Sequence, residues 1–165
     1  MTRARTQAPP THQVQLIVDV YLLLVNEERI LLGRRTNTGY GDGAYEPVSG
    51  RLAERETIVE AAQRIAHSQA DIRVTPAAVS LAHVMHDVSG SGRIAFFLAV
   101  DNWRGEPRET TKDYTDLCWF PLDGLPANMI DRSRVAIRNY AQGARMSTYP
   151  AFAVLAGRLV ELCCS

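Results

Sequence analysis

Between Glu46 and Gln69 the chain gathers residue types able to move a proton or hold a phosphate: Glu46, Arg51, Glu54, Glu56, Glu60, Arg64, His67 and Ser68. Two chemistries are open to them. Carboxylates on a loop and the helix after it can hold a divalent metal against a diphosphate, because Mg²⁺ and Mn²⁺ take hard oxygen ligands and polarise a water for attack on phosphorus. Glu54, Glu56 and Glu60 are the carboxylates that could form such a set. Without a metal, His67 beside Ser68 could trade a proton, with Glu46 or Asp116 as a further acid or base and Asp113, close to Asp116, as another source of a general base. A solvated helix face and surface ion pairs are the plainer readings of the same residues. Tyr40, Tyr45 and Trp119 offer aromatic faces on which a planar ligand could stack, with Arg51 to meet its charge, while ordinary core packing competes for Trp119. His83 and His86 stand three apart on an expected strand and point to opposite faces, so they cannot share a metal.

The spacing carries more than the residue types. Glu56 follows Gly50 by six residues, Arg64 follows Glu56 by eight, and Ile72 closes the stretch. This run, Gly50-Arg51-Leu52-Ala53-Glu54-Arg55-Glu56 and then Ala61 to Gln69, resembles the Nudix box. The resemblance extends over roughly residues 14 to 143, through Ile30 to Arg35, the glycine-rich turn Thr36 to Gly43, Tyr45 to Gly50, and Trp119 to Pro126. It implies an α/β (α+β) Nudix fold, a mixed β-sheet sandwiched between helices, of the nucleotide-pool-cleaning type. It implies also that Gly50, Glu56 and Arg64 are structural box residues, with Glu56 and Arg64 tying loop to helix.

In that family, carboxylates on the box helix hold Mg²⁺ or Mn²⁺ against a diphosphate. Here their positions fall on Ile65, Ser68 and Gln69, so the box is degenerate. Ala53 and Arg55 stand where the family's loop has an acid and a glycine, which points to a loop of changed shape; Asp71 stands in place of the final glycine. The expected function is a repurposed, metal-independent enzyme, or a binding protein, acting on a small metabolite or nucleotide-like ligand, with no cofactor. The alternative is a residual hydrolase of nucleoside diphosphate-linked substrates that uses Glu54, Glu56 and Glu60 to hold Mg²⁺ or Mn²⁺.

Composition narrows the partners. The 165 residues suit one domain that buries a core without disulfides or metal clips. Eighteen basic and eighteen acidic residues leave no net charge, so there is no electrostatic footprint for polymeric nucleic acid and no polybasic membrane patch. Cys118 in an expected strand and the pair Cys163-Cys164 form neither a disulfide framework nor a metal spacing, which suits a reducing cytoplasm. Residues 1–12 lack the apolar stretch of a signal peptide and read as a flexible tail ahead of a domain at 13–145.

The elements that must position these residues follow from periodicity. Strands are expected over Val14 to Val25, around Ile30, over Ala78 to Val88, Ile94 to Val100 and Leu117 to Phe120, with turns at 26–29 and 89–92. Ile58, Ala61, Ala62, Ile65 and Ala66 predict a helix starting near Thr57, and a second is expected over Asp131 to Gln142. Phe152, Leu155, Leu159 and Leu162 also recur at helical spacing. They predict a C-terminal helical extension within 146–165 that covers the sheet or joins two copies in a homodimer.

Overall fold

The computed structural model describes residues 15–90, 92–150, 152–155 and 158–161. Its centre is β1 (Ile17–Asn26), whose Val20, Leu22, Leu23 and Leu24 are fully buried. Successive residues on a strand face opposite sides, so β1 feeds two cores at once. Val20, Leu22 and Leu24 join one hydrophobic cluster; Tyr21 and Leu23 join the other. Each fully buried leucine contributes about 1.5 to 3 kcal/mol relative to exposure.

β1 pairs in parallel with β6 (Arg93–Val100) from Ile17↔Arg93 to Leu24↔Val100. Its other edge is shared. Near its start it pairs antiparallel with β4 (Ser49–Arg51), and at its end with β2 (Arg29–Arg35) through the hairpin at Glu27 and Glu28. β2 also pairs with β3 (Tyr45–Glu46) and β7 (Tyr114–Pro121), and β6 pairs with β5 (Val79–Asp87). The result is a mixed sheet between two helices, as expected. α1 (Ile58–Ala70) packs Ala61, Ala62, Ile65 and Ala66 on the first cluster, and α2 (Asp131–Ala141) packs Ala136 and Ile137 on the second.

α1 begins and ends where its sequence dictates. Thr57 and Glu60 form a reciprocal capping box, which satisfies two amide donors at the helix start. Asp71 closes it in left-handed geometry (φ 53°, ψ 31°), with its amide donating to the carbonyls of Ala66 and His67. Arg55 also takes a positive φ of 62°, so the loop keeps at this residue the backbone geometry that a glycine would supply more cheaply.

The C-terminal extension differs from the expected helix. Met146–Tyr149 form β8, parallel to β5, and Phe152–Leu155 (β9) pair antiparallel with Arg158–Glu161 (β10). Residues 151, 156–157 and 162–165, which the expected helix also spanned, lie outside the described residues, as does the tail at 1–12. The apolar spacing was ambiguous because Phe152, Val154 and Leu159, Val160 suit strands as well as helices. Tertiary pairing decided it for β8: the amides of Val84 and Val88 donate to the carbonyls of Arg145 and Tyr149, and Ser147 Oγ lies 2.8 Å from Nε2 of the buried His83.

Candidate functional site

The sheet face that carries α2 leaves a cleft of about 890 Å³ beside that helix. Asp19 and Tyr21 of β1 lie on its floor, on the same side of the strand as Leu23. Asp19 is the one charged residue of this strand and is itself buried.

Arginines dominate the walls: Arg35, Arg51, Arg64, Arg93 and Arg132. Arg35 is the most enclosed. Its guanidinium pairs with Glu46, whose side chain is fully buried, and donates to Thr38 Oγ1 and the Tyr40 carbonyl at 2.8 Å each. Burial pushes the Glu46 carboxyl above its ordinary range, with Arg35 pulling the other way. One oxygen of Glu46 has no hydrogen-bond partner. Arg93 pairs with Asp19 at 2.7 Å, and Arg132, at the start of α2, sits 3.6 Å from Asp87. Burial pushes the phenols of Tyr21 and Tyr114 well above their usual range, so both remain protonated; the Tyr114 hydroxyl lies 3.3 Å from Ser49 Oγ.

Glu56 and Arg64 meet as a bidentate pair at 2.6 and 2.8 Å. The same carboxylate accepts from the Ala53 amide at 2.9 Å, and Arg64 donates to the Arg51 carbonyl at 2.9 Å, so loop, strand and helix converge on one ion pair. The hydrogen bond from Arg64, seconded by the Ala53 amide, holds the Glu56 carboxyl below its usual range. Arg64→Ala is expected to lower stability by about 1 to 2 kcal/mol, the lower part of the span for charged hydrogen bonds because Arg64 is 44% exposed. A depressed carboxyl gives stability that is present above the unfolded value and lost as pH falls through the folded one. Thermal melts should therefore show a gap of several degrees between wild type and variant at pH 7 that narrows as the pH drops below about 4.5. An unchanged melt at pH 7 would reverse the assignment.

Gly50 is needed for space. A Cβ there would stand 2.9 Å from Ile65 Cγ1, so the buried Ile65 fills the junction between loop and helix. Beyond it, residues 108–113 strap the end of α1 to the glycine-rich loop. Arg108 pairs with Asp71, Thr110 donates to the Ser68 carbonyl, and Thr111 Oγ1 donates to Gln69 Oε1 at 2.8 Å. The amide of Thr36 then donates to the Asp113 carbonyl at 2.9 Å, and Asn37 to the Lys112 carbonyl at 3.1 Å.

Several expected site residues are not brought together. His67 is 56% exposed on α1, 3.9 Å from Asp71, and does not line the cleft. Asp116 pairs with Arg34 at 3.7 Å outside it, because β7 uses three residues where β2 uses two between Gly33↔Leu117 and Arg35↔Tyr114. That bulge leaves Tyr114 and Asp113, rather than Asp116, at the cleft. Glu46 is sealed behind Arg35. Trp119 stacks on Trp103 at 6.1 Å against the cluster under α1, and Tyr45 packs edge-on to Phe120 at 5.0 Å. Tyr40 and Arg51 do line the cleft, with Tyr40 59% exposed and its ring within 6 Å of both Arg35 and Arg132 (5.9 and 5.6 Å). Sequence reasoning missed Arg35, Arg93 and Arg132; the one available signal was their position at strand ends or a helix start.

A mixed sheet clasped by two helices, with a loop-to-helix ion pair beside an arginine-walled cleft, defines an α/β fold of the Nudix class. The model of the NUDIX domain family matches residues 15–140, and the chain belongs to that family. Its fold is similar to a MutT NUDIX hydrolase from Burkholderia pseudomallei, 24% identical, with a TM-score of 0.68 over 75% of this chain and 97% of that one. A MutT protein from Methanosarcina mazei Go1 is 18% identical, with a TM-score of 0.67 over 77% and 94%. The E. coli ORF135 protein is 18% identical, with a TM-score of 0.64 over 81% and 94%. At these identities the likeness speaks for the fold. No helix among the described residues is long and apolar enough to cross a membrane.

The divalent metal that the family implies does not fit the donors present. Ile65 offers no ligand, Glu56 is held by Arg64, Glu60 is turned to Thr57, and Glu54 is 89% exposed beside Arg55. Among the described residues no three of His, Cys, Asp and Glu cluster at metal-binding distance. Hard oxygen donors with net negative charge are what Mg²⁺ requires, and of the two carboxylates lining the cleft Asp19 is held by Arg93 while Asp113 stands alone.

Proposed function

We propose that this protein binds a small, ring-bearing, anionic ligand of nucleotide-like chemistry in the arginine-walled cleft, without recruiting Mg²⁺ or Mn²⁺ to the box helix. One observation carries the reading. Five arginines line the cleft while the box positions of the helix carry Ile65, Ser68 and Gln69. Guanidinium groups present planar forks of donors that match phosphate and carboxylate oxygens, a role that needs no metal. The exposed ring of Tyr40 supplies a face for a planar ligand. Binding is favoured over acid/base catalysis because His67 and Asp116 stand outside the cleft and Glu46 is sealed behind Arg35.

Isothermal titration of the full chain with nucleoside monophosphates, in buffer containing a chelator, tests the reading. Binding heat that persists unchanged in the chelator is the expected result. Binding that appears only on adding Mg²⁺ or Mn²⁺ would overturn it and favour a hydrolase that recruits substitute ligands from Glu54, Glu56 and Glu60.

A further inference from the structure

The cleft looks cationic from its lining and is close to neutral once the groups behind that lining are included. Four of its arginines already face a carboxylate: Arg35 pairs with Glu46, Arg64 with Glu56 and Arg93 with Asp19, and Arg132 lies 3.6 Å from Asp87 with its Nε unbonded. Arg51 is the one lining arginine with no ion-pair partner among the described residues. Asp113 lines the same cleft and likewise has no cationic partner among them. Its backbone is fixed by the Thr36 amide and by Thr111, which also bonds Gln69, so the strap holds it between loop and box helix. Five arginines are thus balanced by five carboxylates.

From this balance we infer that the cleft selects ring-bearing ligands with one phosphate or carboxylate group and discriminates against polyphosphates, Arg51 anchoring the anion and Asp113 opposing further negative charge. The inference rests on the binding reading above. Each added phosphate brings more negative charge into a site where Arg51 alone among the lining arginines lacks a carboxylate partner among the described residues. A carboxylate facing a second phosphate adds repulsion, and selectivity is built from such repulsive elements as much as from contacts. Tyr40, on the loop that Arg35 and Thr38 organise, gives the ring its place.

Titration calorimetry on the full chain in a chelator, with guanosine, adenosine and their mono-, di- and triphosphates as probes, separates the possibilities. The monophosphate is expected to bind about tenfold more tightly than the parent nucleoside, the effect of one charged hydrogen-bonded anchor. It is also expected to bind more tightly than the triphosphate. Arg51→Gln should bring the monophosphate to the level of the nucleoside and leave the nucleoside unchanged. Asp113→Asn should improve the triphosphate several-fold and the nucleoside not at all. Both side chains are exposed, so the variants should melt as wild type does. Affinity that climbs with every phosphate would overturn the inference and leave the binding reading standing; no heat from any probe would overturn both.

Discussion

Arg35→Ala is expected to destabilise the folded protein by about 3 to 5 kcal/mol, because it leaves the Glu46 carboxylate buried without its partner. Glu46 has no exposed side-chain surface and Arg35 only 14%, so the pair is shielded from water in the folded protein. The same substitution removes the bonds to Thr38 and to the Tyr40 carbonyl that hold the glycine-rich loop. For a domain of this size the melting temperature should fall by roughly 10 °C. The pH dependence identifies the cause. Burial already raises the Glu46 carboxyl against the pull of Arg35, so the folded state keeps that proton to higher pH than the unfolded chain does. Stability associated with Glu46 is then present below the ordinary glutamate range and declines as pH rises through the folded value. Removing Arg35 raises that value further, so the gap between wild type and variant should widen from pH 4 to pH 8. Adding Glu46→Gln to Arg35→Ala should recover part of the loss. A gap that does not change with pH, with no recovery in the double variant, would show that loop packing rather than charge explains the effect.

The scaffold was legible in the sequence because its signals are local or strictly periodic. Alternation in β1, the helical spacing of Ile58, Ala61, Ala62, Ile65 and Ala66, and the polar start at Asp131 each name an element without reference to the rest of the chain. The cleft was less legible, because it is made by pairings across long sequence distances. Arg93 meets Asp19 and Arg132 meets Asp87 only once β1, β6, β5 and α2 have come together, and no spacing announces either pair. Asp113 and Asp116 could not be told apart in the sequence, because a bulge in β7 decides which of them reaches the cleft, and a bulge leaves little mark on composition. Trp119 was ambiguous for another reason. Its large apolar face fits a ligand or a core equally well, and the stack on Trp103, sixteen positions earlier in the chain, gave it to the core. The C-terminal strands failed on period: a short apolar run that suits both helix and strand is decided by what it pairs with.

Nucleoside di- and triphosphates incubated with Mg²⁺ should release phosphate or pyrophosphate at no more than about a few per cent of the rate of a relative with an intact box. Metal-assisted phosphate hydrolysis depends on a cation held where charge develops, and loss of even one preorganised stabilising contact in such a transition state costs roughly 10²- to 10³-fold. Here the change is larger than one contact. Ile65 is buried against Gly50, the strap takes up the Ser68 carbonyl and Gln69 Oε1, and Glu56 is engaged by Arg64. The arginines that line the cleft cannot substitute, since they neutralise phosphate oxygens without activating a water. A second readout separates lost metal binding from a damaged enzyme: a ligand that binds only the folded state raises the melting temperature, so millimolar Mn²⁺ should leave it unmoved. Chelator-sensitive hydrolysis together with a Mn²⁺-dependent rise in melting temperature would sink the prediction and point to Glu54, Glu56 and Glu60 as rebuilt ligands. Hydrolysis that survives the chelator would instead place a metal-independent base in the cleft, where Asp113 is the carboxylate without a cationic partner among the described residues.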